Sequence, residues 1–389
     1  MSKTMDGTRL TESQLGALAR MPEIADSQFH PMFETLPASR YTDPDFWDRE
    51  KLAVFRTVPL VVGASARLPD RRSYFAETLF DVPLLITRDG DGVVHAFANV
   101  CRHRGTQLCA GRHTHKGGRI SCPYHAWTYA LDGELIGVPR QEIFDGLDKK
   151  AHSLKPIPCR EAGGLIWVGL DPDYDYDFSV VEGPLAADLD SLGLGRMVVF
   201  DEHAYSIGAN WKLIMDTMLD NYHVTRLHKD TLAPFFVDTE NVIDLIGPHI
   251  RAASARGNFT RDKLAETFEE VRKVVVFSYV LFPNAIVVVS PWFVSFALLR
   301  PTAHDRTEVD YIMLVDEMPE GEEGKQRMRA SFELMDAAFG KEDFWVAEMN
   351  QNGLNSGMLD HITLGGMEKQ MMPLHRAVDD CLAKAGNRS

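Results

Sequence analysis

The alternation of hydrophobic and polar positions changes texture three times along the chain. Residues 1 to about 45 carry short stretches of helical spacing and no chemistry of their own, and predict a helical arm that packs elsewhere. From about 50 to 170, short β-rich runs alternate with turn signals. RTVPLVVGA is followed by VPLLITRDGDGVVHAFANV, in which Asp89-Gly90-Asp91-Gly92 joins two strands as a hairpin. Leu131-Asp132-Gly133-Glu134 turns the chain after the aromatic strand AWTYA, and Gly163-Gly164-Leu165-Ile166-Trp167-Val168 reads as a buried strand. Beyond Asp171 to Tyr176 the pattern becomes mixed, with a strand over 197–209 and a helix from Trp211 to about Leu227. The long β-branched runs between 273 and 315 predict adjacent antiparallel strands. Helical spacing returns after Glu317 through about Asn352, and again near Gly366 to Ala385. Strands grouped together, with helices before and after them, indicate an α+β chain. The expected division is an arm over 1–48, a small all-β domain over 49–172, and a larger domain over 173–389 in which helices wrap an antiparallel sheet.

Composition adds exclusions. At 389 residues with 45% hydrophobic and 25% charged positions, the chain can bury the cores of two or three domains. Its net charge of −15, without a local run of Lys and Arg, argues against a nucleic-acid backbone or an anionic membrane as partner. No apolar stretch approaches the ~20 residues of a membrane span, and MSKTMDGTRLTESQLGALAR lacks the apolar core of a secretory signal, so a cytoplasmic protein is expected. The five cysteines are odd in number and widely spaced, which argues against a disulfide framework; Cys109 reads as a small packing residue.

Two of the cysteines belong to a metal-ligand pattern. Cys101-Arg102-His103 and Cys122-Pro123-Tyr124-His125 each offer one thiolate and one imidazole, with 18 residues between His103 and Cys122. Hairpin ends carrying C-x-H and C-x2-H can bring four ligands together. They suit either one tetrahedral zinc or a [2Fe–2S] cluster with both cysteines on one iron and both histidines on the other. Spacing alone leaves both chemistries open. His113 and His115, in GRHTHKGGR, read as solvated loop histidines. The flanking residues go further: Asn99 to Gly105 and Cys122 to Trp127 resemble the N-x-C-x-H-R-G and C-P-x-H-x-W motifs of Rieske non-heme iron oxygenase α subunits, which favours the cluster over zinc.

A second pattern lies in Asn210-Trp211-Lys212-Leu213 through Asp220-Asn221-Tyr222-His223 to His228. On a regular helix His223 and His228 would stand about 140° apart, so they can share a metal only if the helix ends, kinks or bulges between them. The stretch resembles the iron-binding motif of the same oxygenases. The resemblance implies that His223 and His228 bind a mononuclear Fe(II), with Asp343 of Glu342-Asp343-Phe344-Trp345 as the third ligand and Glu342 as its nearest rival. It further implies that Asp220 hydrogen-bonds an iron-ligating histidine of one subunit and a cluster histidine of the next. The implied assembly is a head-to-tail homotrimer, possibly with a β subunit or as a hexamer. It would draw electrons from a ferredoxin and/or an NAD(P)H-dependent reductase and use O2. The fold implied is a Rieske domain followed by a helix-grip-like catalytic domain.

Two departures qualify the resemblance. Asp216-Thr217 stands where the family has Glu-Asn, and Asn221 precedes Tyr222 where the quaternary-ammonium branch has Cys. The second tilts the expectation toward hydroxylation or dihydroxylation of an apolar, aromatic molecule. Alternatives are a Rieske O- or N-demethylase acting on a methoxy-arene or quaternary amine, and a zinc-stabilised, non-enzymatic binder of hydrophobic ligands. The expected pocket draws on Met215, Met218, Leu219, Val276, Ile286, Val288 and Phe296, with Arg251 and Arg256 as candidate anchors for a substrate carboxylate.

Overall fold

A computed structural model describes residues 9–386; the ends of the expected arm and of the larger domain, 1–8 and 387–389, lie outside them. Three small antiparallel sheets occupy the β-rich half. The largest runs Pro156–Ile157, Val94–Ala98, Val82–Arg88, Ser73–Leu79, His115–Lys116. A second joins Cys159–Ala162, Leu165–Val168 and Leu60–Ala64, and a third is the meander Arg119–Ser121, Thr128–Ala130, Leu135–Gly137. The Asp89 to Gly92 turn closes its hairpin as its Asp-Gly sequence predicts, with the Asp89 carboxylate accepting the Asp91 and Val93 amides.

The second half is built on seven antiparallel strands in the order Val198–Ile207, Arg306–Val315, Val294–Ala303, Ala285–Val289, Val275–Leu281, His249–Ala255, Val242–Ile246. The last two of these were not expected from the sequence pattern. Because side chains alternate across a strand, the sheet has two distinct faces. One face carries Ile250, Val280, Ile286, Ala297 and Tyr311 into a core with the helices Trp211–Leu219 and Phe344–Asn355. The other buries Phe277, Tyr279, Val287, Phe296 and Ile312 with the helices Glu12–Arg20 and Pro184–Ser191. The arm is not wholly helical, since Glu34–Pro37 pairs antiparallel with His361–Leu364. Among the described residues no helix is long and apolar enough to cross a membrane.

Polar contacts weld the two halves. The Asn284 carboxamide accepts the Val61 amide at 3.0 Å and donates to the Val61 carbonyl at 2.8 Å. Arg112 of the GRHTHKGGR loop bridges Glu77 and Asp310, which Arg300 also pairs. Lys212 and Glu50, both 0% exposed, form an ion pair at 2.8 Å beneath the Trp211 ring. Removing one member of such a pair strands the other charge without water. Lys212→Met is therefore expected to lower the unfolding free energy by about 3–5 kcal/mol, read from urea denaturation, while the double replacement with Glu50→Gln recovers most of that loss. An unchanged urea midpoint for Lys212→Met would refute this.

Candidate metal centres

The first centre stands on two tight turns. Gly105, at φ +78°, donates its amide to the Cys101 carbonyl, and the Cys101 amide donates to Thr106. In the second turn the Ala126 amide, at φ +55°, bonds the Cys122 carbonyl, and the Cys122 amide bonds Trp127. Left-handed backbone at these positions folds each loop back so that its thiol and imidazole face one way. Cys101 and Cys122 are buried, and burial pushes the Cys101 thiol up. The rings of His103 and His125 lie 4.8 Å apart, and Trp127 stacks on His103 at the same distance. His103 Nδ1 is buried without a hydrogen-bond partner, an arrangement that suits a metal ligand. The Tyr129 hydroxyl approaches Cys101 Sγ at 3.5 Å and accepts the Arg102 amide.

These donors fit a cluster better than one ion. Among the described residues, His223, His228 and Asp343 form the one group of three or more His, Cys, Asp or Glu donors lying within 4.8 Å of one another. Two thiols and two imidazoles, presented in pairs from two loops, match the ligand set of a two-iron centre with a pair of ligands at each end.

At the second centre the helix ends earlier than its pattern suggests. Asn210 caps it by accepting the Lys212 amide, and it stops at Leu219 rather than Leu227. Asp220 leaves helical geometry and its carboxylate accepts the Tyr222 amide at 2.6 Å. A separate turn, Val224–Leu227, then follows His223, and His228 falls just outside it. Leaving the helix removes the 140° problem, and the two Nε2 atoms come to 3.2 Å.

The carboxylate arrives from far along the chain. After the helix Gly321–Asp336, a π-helical turn over Ala337–Asp343 widens the backbone before Phe344–Asn355 resumes α geometry. Asp343 Oδ1 lies 3.3 Å from His223 Nε2 and 3.1 Å from His228 Nε2, yet is buried with no hydrogen-bond partner. Glu342 takes the opposite side of the imidazole, with Oε2 2.7 Å from His228 Nδ1 and accepting the Thr231 hydroxyl. Asp220 Oδ2 stands 3.2 Å from His223 Nδ1, outside hydrogen-bond geometry. Each imidazole thus has one nitrogen toward Asp343 and the other toward a second carboxylate, the outer support that orients ligating histidines.

The electrostatics ask for a cation. Burial alone would lower the His223 pKa, but Asp220 and Asp343 outweigh it and push it up to about 10. His228 also rises against its burial, drawn up by Asp343 and Glu342. Burial would raise Asp343, but the two histidines hold it below the usual carboxylate range. Three carboxylates around two imidazoles more than offset the charge of a divalent metal.

The donor set opens on a cavity of about 110 Å³. Its floor is one face of the sheet, where Ser254 stands opposite Val276 and Ser278 opposite Val288. Of the expected pocket residues Met218, Val276 and Val288 line it. Met215, Leu219 and Ile286 are core, and Phe296 packs on the opposite face of the sheet. Strand parity also overturns Arg251 as an anchor. It pairs with Tyr279 on the far face, where Asp188 and Asp244 neutralise it. Arg256 lies over the Phe235 and Phe236 rings and does not line the cavity. Thr217 does, whereas Asp216 turns away to accept the Tyr41 hydroxyl. The loop from Leu232 to Asn241 supplies much of the remaining wall, and no periodicity in the sequence marked it. A larger cavity of about 550 Å³ lies against Asp216, Asp220, His223 and Glu368; Asp220 and His223 line both spaces.

Two donor sets of different size, one on a β-rich unit and one beside a helix-wrapped sheet, define a metalloprotein with two redox-capable centres. The description Rieske [2Fe-2S] domain matches residues 58–149, and Ring hydroxylating alpha subunit (catalytic domain) matches residues 194–384. The chain is 33% identical over 202 residues to the glycine betaine monooxygenase oxygenase subunit of Chromohalobacter salexigens, covering 51% of this chain and 44% of that one. It is 34% identical over 212 residues to the chloroplastic choline monooxygenase of Beta vulgaris, covering 53% and 47%. The chain thus spans about half the length of these curated relatives. In fold it is similar to a crystal structure of the quaternary ammonium Rieske monooxygenase CntA, with a TM-score of 0.77 at 21% identity over 93% of this chain and 98% of that one. The chain belongs to the Rieske non-heme iron oxygenase α subunits. Its cofactors are the [2Fe–2S] cluster and the mononuclear iron of that family, so the zinc-stabilised binder is set aside.

Proposed function

We propose that this chain is the terminal oxygenase component of a multi-component system that inserts one oxygen atom into an aliphatic C–H bond of a small quaternary amine. The observation that carries it is the convergence of His223 Nε2, His228 Nε2 and Asp343 Oδ1 on a small cavity. Cys101, His103, Cys122 and His125 would hold the cluster; His223, His228 and Asp343 would hold the iron. A bound 2-His-1-carboxylate iron supplies open positions for O2 beside a substrate.

The chain's own groups do the rest. Glu342 fixes the orientation of the His228 imidazole from its outer nitrogen, and the Asp220 carboxylate stands 3.2 Å from the outer nitrogen of His223. Met218, Phe236 and Phe339 present apolar surface to a substrate body. Asp220, shared by both cavities, stands where an electron donor docked in the larger cavity would meet His223. Apolar side chains support a second copy as that donor. Tyr124, Ile136 and Ile143 are exposed beside the first centre, and Trp345, Met349, Met358 and Leu359 at or near the larger cavity. Two different patches that fit each other make a head-to-tail contact, which closes as a ring such as a homotrimer. A ferredoxin or reductase would feed the cluster.

Two features favour a small amine over the aromatic substrate expected from Asn221. The curated relatives are named for glycine betaine and choline. The wall of the cavity includes Asp220 and Asp343 and, among its described lining residues, no Lys or Arg, with Phe339 available for cation–π contact. The balance is R–H + O2 + 2e⁻ + 2H⁺ → R–OH + H2O. Reconstituted with a reductase, the protein is expected to consume one O2 and two electrons per quaternary amine turned over; where an N-methyl carbon is hydroxylated, the carbinol breaks its C–N bond to release formaldehyde, the tertiary amine and a proton. Coupled formation of a cis-diol from an arene, with no amine turnover, would overturn this reading.

A further inference from the structure

The cavity contains a hydrogen-bond acceptor that the chain leaves unanswered. Asn241 stands in the wall between it and a cavity of about 10 Å³ beside Glu240 and Lys369, and Asn241 Oδ1 is buried with no hydrogen-bond partner. Buried amide oxygens are almost always paired, because losing water without a replacement is costly. Asn241 is also held in place by its neighbours. Glu240 just before it contacts His30 Nδ1 at 2.9 Å and pairs with Lys369, and its amide donates to Ser27 Oγ. Asp238 accepts the Thr225 hydroxyl at 2.7 Å and pairs with Arg226 at 3.0 Å. Immediately after it, Val242 enters the sheet opposite Ala253. The backbone that carries the Asn241 amide is thus anchored on both sides.

We propose that Asn241 selects the substrate by accepting a hydrogen bond from a hydroxyl on it, so that the preferred substrate is a small hydroxyl-bearing quaternary amine without a carboxylate. The inference rests on reading this cavity as the substrate chamber. It separates substrates that the same iron chemistry would treat alike. A carboxylate would find no cationic side chain among the described lining residues, because Arg251 is on the opposite face of the sheet and Arg256 is outside the lining, and Asp220 would repel it. A hydroxyl would complete Asn241 Oδ1; the other unpartnered buried oxygen among the described lining residues, Asp343 Oδ1, faces the two histidines. Of the other short polar side chains in the lining, Thr217 already donates to the Ile214 carbonyl, while the hydroxyls of Thr239, Ser254 and Ser278 can donate as well as accept and so do not demand a donor from the substrate.

The test uses the holoenzyme and two matched ligand pairs that differ by one hydroxyl: choline with ethyltrimethylammonium, and 2-methoxyphenol with methoxybenzene. Binding is measured by calorimetry and activity by product formed per O2 consumed. Wild type is expected to bind choline at least about tenfold more tightly than ethyltrimethylammonium. In Asn241→Leu that ratio should fall to near one; in Asn241→Asp, which keeps an oxygen in place, it should persist. A wild-type ratio near one, or a ratio unchanged in Asn241→Leu, overturns the role of Asn241 while leaving the amine reading intact. Binding of the methoxy pair with neither amine binding overturns the amine reading, and the hydroxyl ratio within that pair then decides Asn241. Binding of none of the four overturns both. Should Asn241→Leu fail to fold, the wild-type ratio and Asn241→Asp still decide the matter.

Discussion

Asp343→Ala is expected to abolish iron retention at the second centre while leaving the colour of the cluster intact. The carboxylate is buried, its Oδ1 has no hydrogen-bond partner, and it faces the inner nitrogens of both histidines. Alanine would leave two imidazoles and an open space, a set too poor in charge to hold a divalent ion against chelation. Turnover should fall by well over the 10–100-fold typical of losing a group that only supports a ligand. Glu342→Gln provides the contrast. Glu342 touches the outer nitrogen of His228, so its replacement should lower iron affinity or activity by roughly 10–100-fold and keep the metal at saturating iron. Metal analysis after dialysis, beside the visible spectrum of the same samples, reads both outcomes. If Asp343→Ala keeps its iron and Glu342→Gln loses it, the third ligand is Glu342.

Cys122→Ser should remove the cluster and leave the mononuclear centre. Its thiol is buried next to that of Cys101, and its carbonyl accepts the Ala126 amide that closes the His125 loop. A serine hydroxyl is a far weaker ligand than a thiolate for a soft iron–sulfur centre. Acid-labile sulfide should fall toward zero, the visible absorption and the EPR signal after dithionite should vanish, and iron should drop from about three per chain to about one. Reductant-driven turnover should then fall to background, since the variant has no means of taking electrons into the protein. Retained sulfide and an unchanged EPR signal would show that Cys122 is not a cluster ligand.

The cysteine and histidine pairs are legible in sequence because each pair is local. C-x-H and C-x2-H place two donors within a single turn, and short hairpins on either side hold the turns in position. The second centre is only half legible. His223 and His228 stand five residues apart, but their approach depends on where the helix ends, and the Asp220 turn that ends it competes with helix through a local side-chain hydrogen bond. Asp343 belongs to another helix, and the π-helical turn that aims Glu342 and Asp343 at opposite sides of His228 leaves no periodic signature.

What the amino-acid sequence determined by itself is the order of the elements, the chemistry of the donors and the two-residue alternation of the long strands. That alternation groups Ser254 with Ala252 and Arg251 with Ala253, but it is silent on which group meets the cavity. The tertiary structure decided that. Trp211–Leu219 and Phe344–Asn355 cover one face of the sheet, and Glu12–Arg20 and Pro184–Ser191 cover the other. Arg251 therefore became a buried partner of Asp188, while Ser254, Val276 and Ser278 became the floor of the cavity. Asn241 lies on a loop positioned by Glu240 and Asp238 through contacts with distant residues, and local pattern cannot encode contacts of that kind.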